Sequence, residues 1–343
     1  MRYPWANLAL LGVLLSQLVT GLVGLLGTSD PFRILFWLHA IGAYALVVLL
    51  FAKALIVVDV LRRRPGLTAD RLTLGLLALL LLAVLVSGFV WITAGPHYLL
   101  GYSVINLHAF AAIALVAVLS WHVLDRRWIA RVPRARDRRA FLRWSGVALL
   151  GVALWRLEEP VERGLGLPGS RRRWTGSYEQ GSFSPQFPTV SWLNDDPEPV
   201  ELASWRLVVE GEVERRLELR YEELRRFGRT SREATIDCTG GWFAHQRWTG
   251  VPLASLLDAA GVADGAHSVA VESVTGYGRR FSLDRARGLL LATHVAGEPL
   301  GHGHGAPLRL VVPDRRGFEW VKWIVRVRVE TTSHLLQPPL PLT

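Results

Sequence analysis

Residues 236–242 read Ile-Asp-Cys-Thr-Gly-Gly-Trp, which is the end of a strand-like run followed by a turn through two glycines. Cys238 is the only cysteine in 343 residues, so the chain forms neither an internal disulfide nor a multi-cysteine zinc site. The glycines let a bulky ligand approach the backbone, and a soft thiolate is a natural transition-metal ligand. The stretch predicts a metal-binding thiolate on a turn. A packed structural cysteine is the alternative that these residues leave open.

Further motifs follow this turn along the chain. They are Arg247-Trp-Thr-Gly-Val-Pro-Leu253 with Leu256-Leu-Asp258, His304-Gly-Ala-Pro-Leu-Arg309, and Val311-Val-Pro-Asp-Arg-Arg-Gly-Phe-Glu-Trp-Val-Lys-Trp323. With these motifs in this order, the stretch from about Phe187 to Val329 resembles the molybdopterin-binding domain of the sulfite oxidase family. The resemblance implies a molybdenum-molybdopterin cofactor and a two-electron oxygen-atom transfer.

The resemblance also implies roles for particular residues. A cysteine thiolate binds molybdenum in that family, which assigns the metal to Cys238, with Thr239 and Gly240 of the same turn at the cofactor. The family's His-Gly-x-Pro-x-Arg motif binds the pterin phosphate, and the resemblance assigns this role here to His304 and Arg309.

Lys322, in the Val-Lys-Trp motif, is a further pterin contact implied by the resemblance. The sequence contains only two lysines, at positions 53 and 322, so Lys322 departs from a strong preference for arginine. A phosphate needs fixed cations, which arginine supplies as a bidentate fork and lysine as a point charge. From the residues alone, a solvated strand residue is an alternative interpretation of Arg309. His302 lies in the same Gly-His-Gly-His tract as His304, and such a tract can bind an adventitious metal. The resemblance selects His304.

Candidate substrate-binding residues surround the same motifs. Arg247 and Tyr277 are predicted to be catalytic. The candidates for binding an anion near the metal are Arg247, His245, Arg279 and Arg280. An anion site would favour sulfite. Sulfite oxidases typically carry another arginine directly after the cysteine motif, however, where this chain has Trp242-Phe243. The direction of the reaction, sulfite oxidation or S-oxide reduction, stays open.

The first 157 residues have a different composition. Apolar runs of the length that spans a bilayer, about 20 residues, occur at 8–26, 34–61, 72–94 and 104–124, with a shorter run at 141–157. Arginines cluster at two of the connections: Arg62, Arg63, Arg64 and Arg71, then Arg126, Arg127, Arg131, Arg134, Arg136, Arg138, Arg139 and Arg143. The positive-inside rule places the N-terminus and both clusters in the cytoplasm, and the domain after the fifth run outside.

The fifth run has two interpretations. Asp137-Arg-Arg-Ala-Phe-Leu-Arg143 before an apolar stretch resembles a twin-arginine export signal. Paired arginines are also common at the cytoplasmic end of a membrane helix. Because no small-residue cleavage site follows, we expect this run to remain as a fifth membrane anchor.

Histidines within the apolar runs suggest a second cofactor. His39 and His108 lie a few residues inside two runs of the same direction, so they should share one depth near the outer face. Two such imidazoles can hold one haem b; a polar contact between helices is the alternative. His122 follows His108 by 14 residues, about four helical turns. Lys53 stands where its partner would be needed, so His122 is expected to be an interfacial histidine. His97 is expected to be a loop histidine.

The sequence therefore predicts an all-α transmembrane helical bundle of four to five spans followed by an α+β, β-rich domain. The soluble part shows strand patterns at 205–210, 217–219, 235–238, 269–274, 308–312 and 324–330, and helical patterns at 221–227, 252–260 and 283–291. The predicted domains are a cytochrome-b-like module at 1–128, an arginine-rich segment with the fifth anchor at 129–160, a linker at 161–186, the molybdopterin domain at 187–333 and a tail at 334–343.

The predicted function is that of a membrane-anchored molybdenum oxidoreductase. It would act on a small oxyanion or S-oxide and exchange electrons through haem b with a quinone or a carrier protein. A pterin domain on a haem-free anchor is the alternative, either with a separate redox partner or as a non-catalytic binding module. The predicted partners are membrane lipid and a small-molecule substrate. The net charge of +10 reflects arginines that flank the apolar runs, without the aromatic-basic pattern of nucleic-acid binding.

Overall fold

The computed structural model describes residues 4–63, 69–125, 138–191 and 195–341. The chain divides into two compact units, one of Met1–Leu25 with Ser29–Tyr178 and one of Leu26–Thr28 with Glu179–Thr343. The division falls inside the predicted linker 161–186. The arginines predicted at 64, 126, 127, 131, 134 and 136, and Asp137 of the twin-arginine-like motif, lie outside the described residues.

Five long helices form most of the first unit: α1 Pro4–Gly24, α2 Asp30–Arg63, α3 Ala69–Ala94, α4 Val104–Asp125 and α5 Arg138–Gly164. Within the described residues, each is long and apolar enough to cross a membrane. Large apolar side chains on these helices are exposed, among them Phe51, Leu79 and Ile113. Helices with apolar residues on all sides are typical of a lipid environment. The short hairpin of β1 Tyr98–Leu99 and β2 Tyr102–Ser103 joins α3 to α4.

The second unit is rich in short strands. After β3 Tyr178–Glu179 at the unit boundary come β4 Leu207–Gly211, β5 Leu217–Leu219, β6 Thr230–Asp237, β7 Trp242–Pro252, β8 Ser268–Ser273, β9 Gly278–Ser282, β10 Leu290–Val295, β11 Glu298–Pro299, β12 Arg309–Val311 and β13 Ile324–Glu330. Two short α-helices, α6 Leu253–Ala260 and α7 Leu283–Arg287, lie between strands. The predicted helix at 283–291 therefore ends at Arg287, because Leu290 begins β10 and pairs with Val311 of β12.

The strands form two sheets. In the first, β11, β10 and β7 lie in that order, β6 pairs with β7, and β12 pairs with β10. In the second, the order is β5–β4–β13–β8–β9, with β4 and β13 parallel. The core between these elements contains fully buried side chains such as Trp248, Leu291 and Val327. This α/β, sheet-rich unit carries the cysteine turn at the end of the β6–β7 hairpin.

Candidate active site

The cysteine turn is held by backbone hydrogen bonds. β6 ends at Asp237, the Cys238 amide donates to the Trp242 carbonyl at 2.9 Å, and the Gly241 amide donates to the Cys238 carbonyl at 3.1 Å. Gly241 has φ of +89°, a conformation that favours glycine. The Gly240 amide lies 3.4 Å from Cys238 Sγ. The turn therefore fixes the sulfur at the closed end of a hairpin.

Cys238 lines an open cleft of about 630 Å³, a volume that includes solvent at its mouth. The side chains around it come from distant parts of the sequence and include Thr239, Trp242, Tyr277, His304, Arg309, Phe318, Trp320 and Lys322. Burial raises the pKa of the Cys238 thiol, while the Gly240 amide and the nearby arginines 316 and 309 act in the opposite direction. A metal cation at the sulfur would favour the thiolate, so this cysteine suits ligation better than free reactivity.

Arg309 is a buried cation beside the same cleft. Its guanidinium lies 5.5 Å from the ring centre of Trp248 and 5.9 Å from that of Trp320, and Nη1 donates to the His304 carbonyl at 2.9 Å. Among the described residues its buried Nε has no hydrogen-bond partner. Burial lowers the pKa of Arg309 to about 10. A buried guanidinium with a spare donor is suited to an anionic ligand.

His304 stacks on Phe187 with ring centres 3.9 Å apart, and its Nε2 donates to the Phe187 carbonyl at 3.0 Å. Burial lowers the pKa of His304 to about 4, and the charges of Arg309 and Lys322 act in the same direction. Neighbouring His302 packs near Trp323 and is not among the residues that line the cleft.

Lys322 is the second cationic side chain of the cleft, after Arg309. Its Nζ donates to Ser191 Oγ at 3.1 Å and to the Gly303 carbonyl at 3.2 Å, and it lies 4.1 Å from the Trp323 ring centre. Burial and the charge of Arg309 lower the pKa of Lys322 to about 8. Arg309, His304 and Lys322 thus converge on one cleft with Cys238.

Tyr277, which the sequence predicted to be catalytic, also lines the cleft. Its hydroxyl donates to the Phe318 carbonyl. Burial raises the pKa of Tyr277, and the charges of Glu319 and Asp195 add to this effect while Arg279 opposes it. Tyr277 therefore keeps its proton at neutral pH.

The structure does not bring Arg247 or His245 to the cleft. Both side chains are exposed, whereas Gln246 and Trp248 between and beside them are buried, because successive residues of β7 face opposite sides. Arg247 instead forms an exposed ion pair with Glu233 on β6 at 3.1 Å.

The other predicted anion-binding arginines are paired with carboxylates. Arg279 is buried against Glu319 at 2.8 Å, and Arg280 pairs with Glu330 at 2.6 Å. Neither is among the residues that line the cleft. Their positive charges are therefore already compensated within the protein.

Sequence reasoning missed one buried ion pair at the site. Arg316 Nη1 lies 2.5 Å from Asp237 Oδ1, and both side chains are almost fully buried. The two residues also form a parallel bridge, and Gly317 packs against the Cys238 backbone. Arg316 belongs to the quoted Val-Pro-Asp-Arg-Arg motif, but nothing in the sequence pairs it with a carboxylate 79 positions earlier.

A second candidate site lies in the helical unit, between His39 of α2 and His108 of α4. Their ring centres are 6.3 Å apart. If one metal ion bound a nitrogen of each imidazole at about 2 Å, with each ring centre about 1 Å further back, the two ring centres would lie roughly 6 Å apart. The observed separation fits this arrangement.

Each of these rings is oriented through Nδ1. In His39 it lies 3.0 Å from Thr20 Oγ1, and in His108 it lies 2.9 Å from the Val84 carbonyl. Such second contacts fix a ring so that Nε2 can bind a metal. Glycines make room for both rings, because a Cβ at position 21 would lie 3.2 Å from His39 Cε1, and one at position 88 would lie 3.3 Å from His108 Cε1.

Two other polar residues of this unit have hydrogen-bond partners of their own. Lys53 Nζ donates to Asn7 Oδ1 at 2.5 Å, and His97 Nδ1 donates to the Gly95 carbonyl at 3.1 Å. His122 lies in the last turn of α4.

Comparisons with known proteins identify the family of the sheet-rich unit. Residues 194–335 match the family described as oxidoreductase molybdopterin binding domain. YuiH of Bacillus subtilis (strain 168), an uncharacterized oxidoreductase, is 31% identical over 151 residues, which cover 43% of this chain and 76% of that protein. The chain therefore belongs to the molybdopterin-binding oxidoreductases. It is an enzyme of the sulfite oxidase type, and the family's cofactor is molybdenum-molybdopterin.

Two further relatives cover less of their own length. The protein-methionine-sulfoxide reductase catalytic subunit MsrP of Xanthomonas campestris pv. campestris is 33% identical over 162 residues, 40% of this chain and 50% of that protein. The chain thus spans about half the length of this relative. The crystal structure of the sulfane dehydrogenase SoxCD from Paracoccus pantotrophus is 31% identical, covering 39% of this chain and 40% of that chain, with a TM-score of 0.38.

Proposed function

We propose that this enzyme reduces a neutral S-oxide at the Cys238 cleft. The observation that carries the proposal is the charge of the site. The arginines predicted to bind an oxyanion are exposed or paired with carboxylates, and the carboxylate of Asp195 lines the cleft. Among the described residues, the only arginine and lysine that line the cleft are Arg309 and Lys322, which we assign to the pterin phosphate. No further cation is left for a sulfite anion, whereas a neutral S-oxide needs none.

The proposed cofactor site consists of Cys238 and three residues that line the same cleft, of which Arg309 and Lys322 are cationic. Cys238 Sγ would be the protein's ligand to molybdenum, and Arg309, His304 and Lys322 would hold the pterin phosphate. The buried Arg309 Nε supports this role, because a buried donor without an acceptor costs about 1–3 kcal/mol. The bound cofactor supplies the two-electron oxygen-atom chemistry, and the chain supplies the ligand and the fixed charges.

S-oxide reduction consumes two electrons and two protons and releases water. Tyr277 is the side chain we propose for orienting the substrate, because it lines the cleft and stays protonated. To donate to the sulfoxide oxygen, its hydroxyl would turn away from the Phe318 carbonyl. The similarity to the methionine-sulfoxide reductase subunit is consistent with a sulfoxide within a peptide as the substrate.

The direct test compares two substrates on purified, cofactor-loaded protein. N-acetyl-methionine sulfoxide amide is supplied with a reduced viologen dye, and sulfite is supplied with ferricyanide. We expect turnover of the sulfoxide and little turnover of sulfite. Cys238→Ser should lose turnover and keep the fold and most of the pterin. Preferential sulfite oxidation, or full activity of Cys238→Ser, would contradict the proposal.

We propose further that His39 and His108 would hold one haem b. A bound haem would supply single-electron transfer between a quinone or carrier protein and the molybdopterin unit. The 6.3 Å separation of their rings supports this assignment. Replacing either histidine with alanine should remove the haem absorption and leave the molybdenum content unchanged.

His122→Ala is the matched control for the haem assignment, since it removes a histidine from the same helix as His108. This variant should keep the wild-type haem spectrum. A wild-type protein that shows no haem absorption after expression with ample haem would refute the assignment, and the helices would then serve as an anchor with a separate redox partner.

The proposed topology is a cytoplasmic N-terminus, five membrane spans and an extracytoplasmic molybdopterin unit. The five apolar helices and the arginine clusters of the sequence support it. Protease added to intact spheroplasts should digest the chain beyond about residue 158 and spare residues 125–143. Protection of the molybdopterin unit would contradict this topology.

A further inference from the structure

Trp242 carries a buried hydrogen-bond donor that the protein leaves unused. The residue is 3% exposed and lines the cleft beside Cys238. Its indole Nε1 has no hydrogen-bond partner among the described residues. Buried donors are almost always satisfied, so an exception beside a ligand cleft calls for an acceptor that the ligand brings.

The other buried tryptophans of the described chain all use this group. Nε1 donates to a backbone carbonyl in each of them: Trp91 to Gly176, Trp205 to Ile324, Trp248 to Ala234, Trp320 to Arg315 and Trp323 to His302. The fold thus supplies an acceptor to each of these five indoles, including that of Trp320, which also lines the cleft. Trp242 is the exception.

The position of the unused donor is defined by the cysteine turn. A Cβ on Gly240 would lie 3.6 Å from Cys238 Sγ and 3.8 Å from Trp242 Nε1, so both atoms border the space that the glycine leaves open. Phe187 packs against the indole with ring centres 6.0 Å apart. The N–H is therefore held next to the proposed metal ligand.

We propose that Trp242 Nε1–H donates a hydrogen bond to an acceptor atom of the ligand next to Cys238. The acceptor is either the oxygen of the S-oxide, which rests on the proposed function, or an acceptor atom of the molybdopterin cofactor. In both cases the indole orients a group at the reacting centre, which packing alone would not do.

The test compares Trp242→Phe with Trp205→Phe in the full chain. Both variants lose the same indole volume, but Trp205 lies outside the cleft and its N–H has a partner. In cofactor-free protein, Trp205→Phe should lower Tm more, because it leaves the Ile324 carbonyl without its donor. Trp242→Phe has no such bond to lose.

Loaded protein then identifies the acceptor. If it is the S-oxide, Trp242→Phe should keep its molybdenum and raise KM for N-acetyl-methionine sulfoxide amide about two- to tenfold, as expected for one hydrogen bond. If it is the cofactor, the pterin content and the gain in Tm on loading should both fall. The inference is overturned if content, Tm gain and KM all match those of Trp205→Phe. A wild-type protein that reduces no sulfoxide would refute the proposed function, while content and Tm gain still decide the role of Trp242.

Discussion

Breaking the buried ion pair between Asp237 and Arg316 should destabilise the molybdopterin unit strongly. Asp237→Ala leaves the Arg316 guanidinium without this counter-charge at 3% side-chain exposure. Removing one partner of a buried pair typically costs about 3–5 kcal/mol. For a unit of this size, each kcal/mol lowers Tm by about 2–4 °C. The expected shift is therefore on the order of 10 °C.

Glu233→Ala provides a control on the same strand. Its partner Arg247 is 63% exposed, and an exposed pair is worth about 0–1 kcal/mol. The double variant Asp237→Ala/Arg316→Leu should recover part of the loss, because it leaves no uncompensated charge. Differential scanning calorimetry of the detergent-solubilised, cofactor-free chain measures all three variants without interference from cofactor loss. If Asp237→Ala shifts Tm no more than Glu233→Ala, the argument from burial fails.

Three further outcomes are expected. Arg309→Ala should yield protein without pterin, since it removes a buried charge-assisted contact worth about 2–5 kcal/mol. Elemental and fluorescence analysis measures this, and stoichiometric pterin would contradict the role of Arg309. Cofactor-free protein should lose stability as the pH falls from 6.5 towards 4. In the folded protein the pKa of His304 is about 4, below the usual 6.5, so the unfolded chain binds more protons in that pH range. In His304→Gln the Tm should depend less on pH over this range. Gly88→Leu should abolish haem absorption by displacing His108, whereas Gly75→Leu on the same helix, where a Cβ meets nothing within 4 Å, should retain it.

The sequence predicted the elements whose pattern is local. The predicted strands at 217–219 and 324–330 coincide with β5 and β13. β7 was missed, because its central His-Gln-Arg segment and Gly250 lack the composition of a strand. It is a strand because β6 and β10 flank it, and at Gly250 a Cβ would come within 2.0 Å of the Leu291 carbonyl oxygen. Such pairing depends on residues far away in the sequence.

The candidate site divides in the same way. Family motifs pointed to Cys238, His304, Arg309 and Lys322, which the structure brings to one cleft, but no local pattern relates them. The exposure of Arg247, in contrast, could have been predicted from its neighbours in the sequence. Arg247 directly precedes Trp248, and neighbouring residues of a strand face opposite sides, so a buried tryptophan directs the arginine to solvent.

The hairpin of β6 and β7 limits how this part of the chain can vary. The two strands pair without interruption from Thr230 opposite Gly250 to Asp237 opposite Phe243. Because strand side chains alternate, an insertion of one residue within this ladder would exchange the faces of every residue beyond it. Asp237 would turn away from Arg316, and the sulfur would leave the cleft. Length variation between homologous chains should therefore be confined to the loop before Thr230, where added residues leave the register of β6 against β7 unchanged.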